Sequence, residues 1–274
     1  MSKLSIDNLH AIFKRIPMLS ANQIKDFQIR RLPGHTNQNF HLKNRLNDWV
    51  LRIPKTETNF FINRKAEVYN ADIALQLGLA TECIWSDSSG LSLSKTLINT
   101  RSITSHDLQE EVVFESVISR IKILHQHKTE FVGSVNLDKL LTRYFQLLPR
   151  SQQQEIDSEY RKAISLIKRL AQQDGLLVPS HNDLVLDNIM LGESRKIWII
   201  DWEYSAMASP YWDLATLSNA ANFDEKQLKS LLEVYRNQAT DIDLDVLMDY
   251  RFVLKILSDC WMGAFTKMDA AQDQ

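Results

Sequence analysis

The chain has 274 residues, 44% of them hydrophobic and 24% charged, a composition with which a globular protein can bury a core. Its 32 basic and 34 acidic residues give a net charge of −2, so no basic excess favours nucleic acid or an anionic membrane. No leader peptide and no long apolar run is recognisable, and Cys83 and Cys260 form no disulfide or zinc pattern. We therefore expect a cytoplasmic protein with reduced thiols and without nucleic-acid or membrane partners.

The first hundred residues predict a small β-rich lobe over 1–97. An amphipathic helix opens the chain and ends near Pro17. Short apolar runs between turn residues predict antiparallel strands at 27–32, 40–42, 48–54, 82–85 and 91–95. Between the third and fourth strands, residues 60–77 predict a helix that ends at Gly78.

The remaining residues, 98–274, predict a larger helical lobe. Gly and Pro are scarce, with 7 and 6 residues in the whole chain, which favours long helices. Apolar stripes at helical spacing predict helices at 107–127, 138–148, 152–173, 225–239 and 243–267. A break at 178–201 holds the densest group of polar residues and a predicted strand at 196–200.

This break contains a motif that suits phosphoryl transfer. The reaction needs a carboxylate near the attacking hydroxyl and oxygen ligands for Mg²⁺. Asp183 can accept the proton of the hydroxyl, while Asn188 and Asp201 offer hard oxygen donors. Each residue alone is more often a cap or a turn residue, but the order and spacing match a kinase catalytic loop and its metal-binding Asp. We interpret His181 as a buried loop residue and not as a base.

The motif also resembles that of a known family. His-Asn-Asp-Leu-Val-Leu-Asp-Asn at 181–188, with Ile-Ile-Asp-Trp-Glu-Tyr at 199–204, is similar to the signature of the choline and ethanolamine kinases. It is more distantly similar to that of the aminoglycoside phosphotransferases, and closest to the bacterial choline kinase-like branch. The resemblance implies an α+β, two-lobed protein kinase-like fold, with ATP bound between the lobes and Mg²⁺ as cofactor. Asp187 is a departure, because many relatives have Gly there.

The resemblance assigns nucleotide-binding roles in the small lobe, with residues 95–100 as the hinge. Gly34, Thr36 and Asn37 match a loop of the family that faces the ATP phosphates, although the same residues also suit an ordinary hairpin turn. Arg52 matches the basic residue of the third strand, and Glu67 is its expected helix partner. A guanidinium can hold phosphate or carboxylate through two parallel hydrogen bonds, so Arg52 also counts as a catalytic candidate.

The resemblance extends to the substrate side. Glu203 is a further metal candidate, with a structural salt bridge as the alternative. Asp213 is expected to brace the catalytic loop without reacting. Trp261, with Tyr211 or Trp212 opposite, is expected to form an aromatic wall for a cationic substrate, although such stripes usually belong to a core.

Together these features predict a kinase that transfers the γ-phosphate of ATP to a hydroxyl of choline or a related amino alcohol. Thiamine kinase and aminoglycoside phosphotransferase are the enzymatic alternatives, and the second is less favoured because residues 254–267 offer mainly Asp259 to a polycation. A catalytically silent, metabolite-binding relative is disfavoured because Asp183 and Asp201 are both present. The acceptor, the oligomeric state and the choice between ATP and GTP stay open.

Overall fold

The structure is a computed structural model that describes residues 6–19, 24–34, 37–55, 62–173, 176–236 and 240–272. The chain divides into two compact units. The first contains the residues up to Lys65 together with Thr81–Ile98, and the second contains Ala66–Ala80 and Asn99–Gln272. The helix that we predicted over 60–77 therefore groups mainly with the second unit, because Ile73 and Ala74 pack into the core of that unit.

The first unit is built on an antiparallel sheet of five strands. The strands are β1 (Gln28–Leu32), β2 (Asn37–Lys43), β3 (Asp48–Pro54), β4 (Cys83–Ser86) and β5 (Ser92–Lys95), in the order β1-β2-β3-β5-β4. Helix α1 (Ile6–Arg15) precedes them, and its Phe13 joins Leu42, Leu51 and Leu93 in a buried apolar cluster. The predicted strands are confirmed, and each places at least one apolar residue in this cluster or against it.

Helix α2 (Arg64–Gln76) connects the two parts of the first unit. Residues 60 and 61 of the predicted helix lie outside the described residues. Gly78 ends the helix as predicted, with φ at +69°, and Leu79 N donates to Ala74 O at 2.9 Å. Glycine suits this position because a left-handed residue after the last turn would strain a side chain.

The second unit is mainly helical. Its helices are α3 (Glu111–His125), α4 (Leu137–Leu147), α5 (Arg150–Glu155), α6 (Asp157–Gln173), α7 (Pro210–Ala220), α8 (Glu225–Arg236) and α9 (Asp241–Gln272). The single helix predicted at 152–173 is wrong in detail, because the chain leaves helical geometry at Ile156 and forms α5 and α6. Helix α7, which we did not predict, begins with Pro210 in the first turn, where its missing N–H costs nothing.

Short strands of the second unit frame the polar motif. They are β6 (Arg101–Ser102), β7 (Val178–Ser180), β8 (Ile189–Leu191), β9 (Ile197–Ile199) and β10 (Ala206–Ala208), and β9 is the one we predicted. Strand β8 pairs with β6 and β9, while β7 pairs with β10. Runs of two or three residues are too short to show an alternating pattern, so the other four were invisible in the sequence. Among the described helices, none combines the length and apolar character that a membrane crossing requires.

Candidate active site

Strand pairing brings the two halves of the polar motif together. Ile189 of β8 lies opposite Ile199 of β9, and one step beyond, Ile200 N donates to Asn188 O at 2.9 Å. Asn188 and Asp201 are therefore neighbours in space, although twelve other residues separate them along the chain. This antiparallel hairpin brings an Asn before one strand close to an Asp after the next.

Asn188 also fixes Asp183. Its side-chain Nδ2 donates to Asp183 O at 2.9 Å and to Asp183 Oδ2 at 3.0 Å. Burial and the nearby negative charge of Glu203 raise the pKa of Asp183 to about 7, although the Asn188 bond acts in the opposite direction. A carboxyl with this pKa changes protonation state near neutral pH, as a group that accepts and releases protons needs to do.

Asp213 on α7 fixes the loop that carries Asp183. Asp213 accepts hydrogen bonds from the backbone amides of His181 (Oδ2, 2.9 Å) and Asn182 (Oδ1, 2.7 Å). Oδ2 also contacts His125 Nε2 at 3.0 Å, and His125 Nδ1 contacts the Tyr235 hydroxyl at 2.8 Å. Burial alone would raise the pKa of Asp213, but these hydrogen bonds and nearby histidines lower it. The prediction that Asp213 braces the loop is confirmed.

His181 is a structural part of the same loop. Its side chain is fully buried, its Nε2 lies 3.0 Å from Ile200 O, and its ring packs edge-on against Trp202 at 4.8 Å. Burial lowers its pKa, which keeps the ring neutral. The interpretation of His181 as a loop residue is therefore confirmed.

Two residues of the site have left-handed backbone conformations. Asp201 has φ 66° and ψ 64°, and Asn182 has φ 66°. Residues other than glycine adopt this region at a cost, and such positions concentrate at functional sites. At Asp201 the conformation turns the chain directly after β9 into the short 3₁₀ turn Trp202–Tyr204.

The oxygen donors of this site fit Mg²⁺. The amide nitrogen of Asn188 faces Asp183, which leaves its oxygen for another partner, and Asp201 and Glu203 each add a carboxylate. Mg²⁺ is typically bound by one or two carboxylates, with water and substrate phosphates completing its shell. In the described part of the chain, no group of three or more His, Cys, Asp or Glu could hold a metal ion. Asn188, Asp201 and Glu203 supply oxygen donors of the kind that Mg²⁺ prefers.

Two tyrosines that the sequence analysis did not assign belong to this acidic environment. Burial first, and then the negative charges of Asp183 and Glu203, raise the pKa of Tyr144 on α4 to about 12. Burial and the charges of Glu203, Asp183 and Asp201 also raise the pKa of Tyr204 well above its ordinary value. Tyr204 was visible as part of the motif, but nothing in the helical pattern around Tyr144 distinguished it from a core residue.

The predicted aromatic wall is only partly accessible. Tyr211 is 8% exposed, donates to Asp243 Oδ1 at 2.5 Å and stacks on Tyr250 with the ring centroids 6.0 Å apart. Trp212 is 5% exposed, and its indole donates to Asn182 O at 3.0 Å. Both rings thus have packing and bracing roles that need no ligand. Trp261 on α9 is half-buried, and the ligand-binding role of the three rings stays a prediction.

The nucleotide-binding candidates of the first unit are described in part. Gly34 suits a close approach, because a Cβ there would lie 2.6 Å from Asn37 O, and Asn37 is buried at the start of β2. Thr36 lies outside the described residues. Arg52 on β3 donates to Gly90 O at 3.3 Å within the first unit. Its pairing with Glu67, which is buried on α2, stays a prediction.

Comparison with known proteins identifies the family. A sequence model described as "Phosphotransferase enzyme family" matches residues 28–250, which is most of the chain and includes every candidate site residue except Trp261. The chain belongs to this phosphotransferase family. The resemblance inferred from the 181–188 and 199–204 motifs is therefore confirmed.

Among curated relatives, this phosphotransferase is similar to two versions of Protein LicA from Haemophilus influenzae. It is 32% identical to the first over 209 residues, which cover 75% of this chain and 61% of that protein. It is 32% identical to the second, from strain Rd, over 207 residues, which cover 74% of this chain and 77% of that protein. The chain thus spans less than two thirds of the first relative.

Solved structures confirm the fold. The choline kinase LicA from Streptococcus pneumoniae superposes with a TM-score of 0.80 at 23% identity, covering 90% of this chain and 88% of that one. A structure of LicA in complex with AMP superposes with a TM-score of 0.76 at 23% identity, covering 88% and 84%. The phosphotransferase therefore has the predicted α+β kinase-like fold.

Proposed function

We propose that this phosphotransferase is an ATP- and Mg²⁺-dependent small-molecule kinase that phosphorylates a hydroxyl of choline or a related amino alcohol. The observation that carries the proposal is the hydrogen-bonded pair of Asp183 and Asn188 beside Asp201 and Glu203. A carboxylate for the acceptor and oxygen donors for a metal are the parts that phosphoryl transfer requires.

Asp183 acts on the acceptor. Its carboxylate takes the proton of the alcohol as the alcohol oxygen bonds to the γ-phosphorus, and the bond to the bridging oxygen breaks to release ADP. A pKa of about 7 keeps the carboxylate basic enough for this role at neutral pH. The loop amides bound to Asp213 keep the backbone of this segment from shifting during transfer.

Asn188, Asp201 and Glu203 act on the nucleotide side. They would hold Mg²⁺, which when bound neutralises charge on the phosphates. Gly34, Thr36, Asn37 and Arg52 are the proposed contacts of the ATP phosphates, with Glu67 orienting Arg52. A relative's structure in complex with AMP supports a nucleotide in this fold.

The acceptor is proposed from the chemistry of the site and from the relatives. The negative charges of Asp183 and Glu203 raise the pKa of two tyrosines, Tyr144 and Tyr204, so carboxylates and phenol groups lie in the same part of the site. Such a site favours a cation, and each contact between a cation and an aromatic face contributes about 0.5–2 kcal/mol. Trp261 is a further candidate wall. The description of the Streptococcus pneumoniae relative as a choline kinase supports choline among cationic alcohols.

An ADP-release assay tests the proposal. The protein is mixed with Mg²⁺-ATP and with choline, ethanolamine, thiamine or an aminoglycoside in turn. We expect turnover with choline or ethanolamine, and about a 100-fold or larger loss in Asp183→Ala with ATP binding retained. Turnover with thiamine or the aminoglycoside instead would show that the acceptor is not an amino alcohol such as choline. Full activity of Asp183→Ala would refute the assignment of Asp183 as the base.

A further inference from the structure

The turn that follows Asp201 carries two residues of the site, Glu203 and Tyr204. It is closed by two bonds to the carbonyl of Trp202, from Ser205 N at 3.1 Å and from Ser205 Oγ at 2.6 Å. A short 3₁₀ turn has few internal hydrogen bonds, so its position depends on hydrogen bonds to other segments of the chain. We call residues 202–205 the acidic turn.

A buried asparagine on α2 holds the acidic turn from one side. Asn70 is 0% exposed, and its Nδ2 donates to Ser205 O at 2.9 Å and contacts Ser205 Oγ at 3.2 Å. The same amide is fixed to a second segment, since Nδ2 lies 3.2 Å from Val132 O and Oδ1 accepts from Val132 N at 2.8 Å. Both polar atoms of the amide are therefore used, which gives this side chain one orientation.

The chain after α2 is bonded to the strand that precedes the turn. Leu79 O accepts from Ile199 N of β9 at 2.7 Å, two residues before Asp201. The metal-binding candidates Asp201 and Glu203 thus lie between two attachments to the 66–80 segment, one at Ile199 and one at Ser205. Rotation or sliding of α2 would move both attachments.

A second asparagine holds the acidic turn from the catalytic loop. Asn182 Nδ2 donates to Tyr204 O at 3.0 Å, while its backbone N and O are bound to Asp213 and Trp212. This bond therefore fixes the position of the Tyr204 backbone relative to Asp183, which follows Asn182 in the chain.

We propose that Asn70 is a positioning residue that, together with Asn182, holds Glu203 and Tyr204 in place relative to Asp183. The inference rests on the proposed function, because the position of these groups matters only if they act on metal and acceptor. Glu67 lies three residues before Asn70 on the same face of α2, so the Asn70 bonds also set the rotation of Glu67. Protein kinases control activity by moving a helix of the small lobe together with a metal-binding segment. Here the buried bonds of Asn70 fix α2 and the acidic turn to each other.

The test compares Asn70→Ala with Asn219→Ala. Asn219 is a matched control, since it also joins two elements of the second unit, through Nδ2 to Arg251 O at 2.8 Å and Oδ1 from Arg251 Nε at 3.0 Å. It is not part of the site. Thermal unfolding, kcat, KM and the Mg²⁺ concentration for half-maximal activity are measured for both. Hydrogen exchange of the backbone amides of residues 203–207 is measured without substrate.

For Asn70→Ala we expect faster exchange in residues 203–207, a kcat about 10- to 100-fold lower and a higher Mg²⁺ requirement. Asn219→Ala is expected to have a lower Tm than the wild type. Its kcat should stay within about twofold of the wild-type value, and hydrogen exchange in residues 203–207 should not change. If Asn70→Ala does not fold, Asn70→Asp replaces it, since it keeps an oxygen for Val132 N and removes the amide donor to Ser205 O; a shift of the same kind is expected.

Unchanged exchange in Asn70→Ala, or faster exchange with unchanged kcat and Mg²⁺ requirement, would overturn the inference. Equal losses of kcat in the two variants would also overturn it, because they would reflect stability alone. If the wild-type protein phosphorylates none of the alcohols, the proposed function fails, while the exchange data still decide whether Asn70 holds the acidic turn.

Discussion

The side-chain amide of Asn188 donates to two oxygens of Asp183, its carbonyl at 2.9 Å and its carboxylate at 3.0 Å. One asparagine thus orients the proposed base with its nitrogen and leaves its oxygen for the proposed metal. A single planar amide thus contacts the proposed base and carries the proposed metal ligand. A movement of this amide would therefore change the position of both groups.

Replacing Asn188 should therefore damage two functions at once. In Asn188→Ala, the carboxylate of Asp183 loses its donor and the metal loses one oxygen ligand. We expect kcat to fall about 100-fold and the Mg²⁺ concentration for half-maximal activity to rise. Steady-state kinetics across a Mg²⁺ series check this. A variant with reduced kcat but the wild-type Mg²⁺ dependence would argue against Asn188 as a ligand.

Asp183 should reduce the stability of the ligand-free protein at high pH. Its folded-state pKa of about 7 lies above the unfolded value of about 3.9, so ionisation between these values favours unfolding. Asp183→Asn keeps an oxygen for the Asn188 bond and cannot ionise. We expect it to be inactive yet more stable than wild type at about pH 8, by on the order of 1 kcal/mol or more. The gain should shrink as pH falls toward about 4.

Urea denaturation at several pH values measures this gain, and Asp187→Asn is the control. Asp187 is an exposed residue of the same loop, so its substitution should leave stability unchanged at every pH. A stability gain of Asp183→Asn that does not depend on pH would contradict the assigned cause.

The buried pair of Asp213 and His125 should be costly to break. In Asp213→Asn, an NH₂ group would face one of the donors that the carboxylate now accepts from, namely His181 N, Asn182 N or His125. Breaking a buried pair typically costs about 3–5 kcal/mol, and we expect a loss of that size in the free energy of unfolding. Lys255→Ala, which breaks an exposed pair with Asp259, should cost less than about 0.5 kcal/mol. Similar losses in the two variants would show that the Asp213 bonds do not brace the loop.

Asp107 should make the free energy of unfolding decrease at acidic pH. The Arg101 guanidinium donates to both carboxylate oxygens at 2.7 and 2.6 Å, and with Thr104 it holds the pKa of Asp107 well below its usual range despite burial. The resulting stabilisation is complete above the unfolded pKa of about 3.9 and is lost as pH falls below it.

The difference in unfolding free energy between wild type and Asp107→Asn tests this dependence. We expect about 1–3 kcal/mol at about pH 6, shrinking by about pH 3. Asp157→Asn is the control, since its pair with Arg161 is exposed and should contribute less than about 0.5 kcal/mol at either pH. A difference for Asp107→Asn that stays constant with pH would contradict the expected protonation effect.

Several elements were predictable because their signal is local. Strand β3 was predicted at 48–54 and observed at Asp48–Pro54, since a short apolar run between turn residues suffices to recognise a strand. The predicted end of α2 at Gly78 follows from backbone sterics at one residue. The break at Ile156 and the short strands β6, β7, β8 and β10 escaped prediction, because tertiary packing sets them and they leave no period.

The sequence by itself determined the chemistry: the spacing of Asp183, Asn188 and Asp201, and with it the family, since those side chains and their order are written in the chain. The tertiary structure alone decided which distant residues support that chemistry. The contacts of His125 with Asp213 and of Asn70 with Ser205, and the effect of Asp183 on the pKa of Tyr144, each join segments far apart in sequence. Such contacts are set by how helices and strands pack, and packing is a property of the folded chain as a whole.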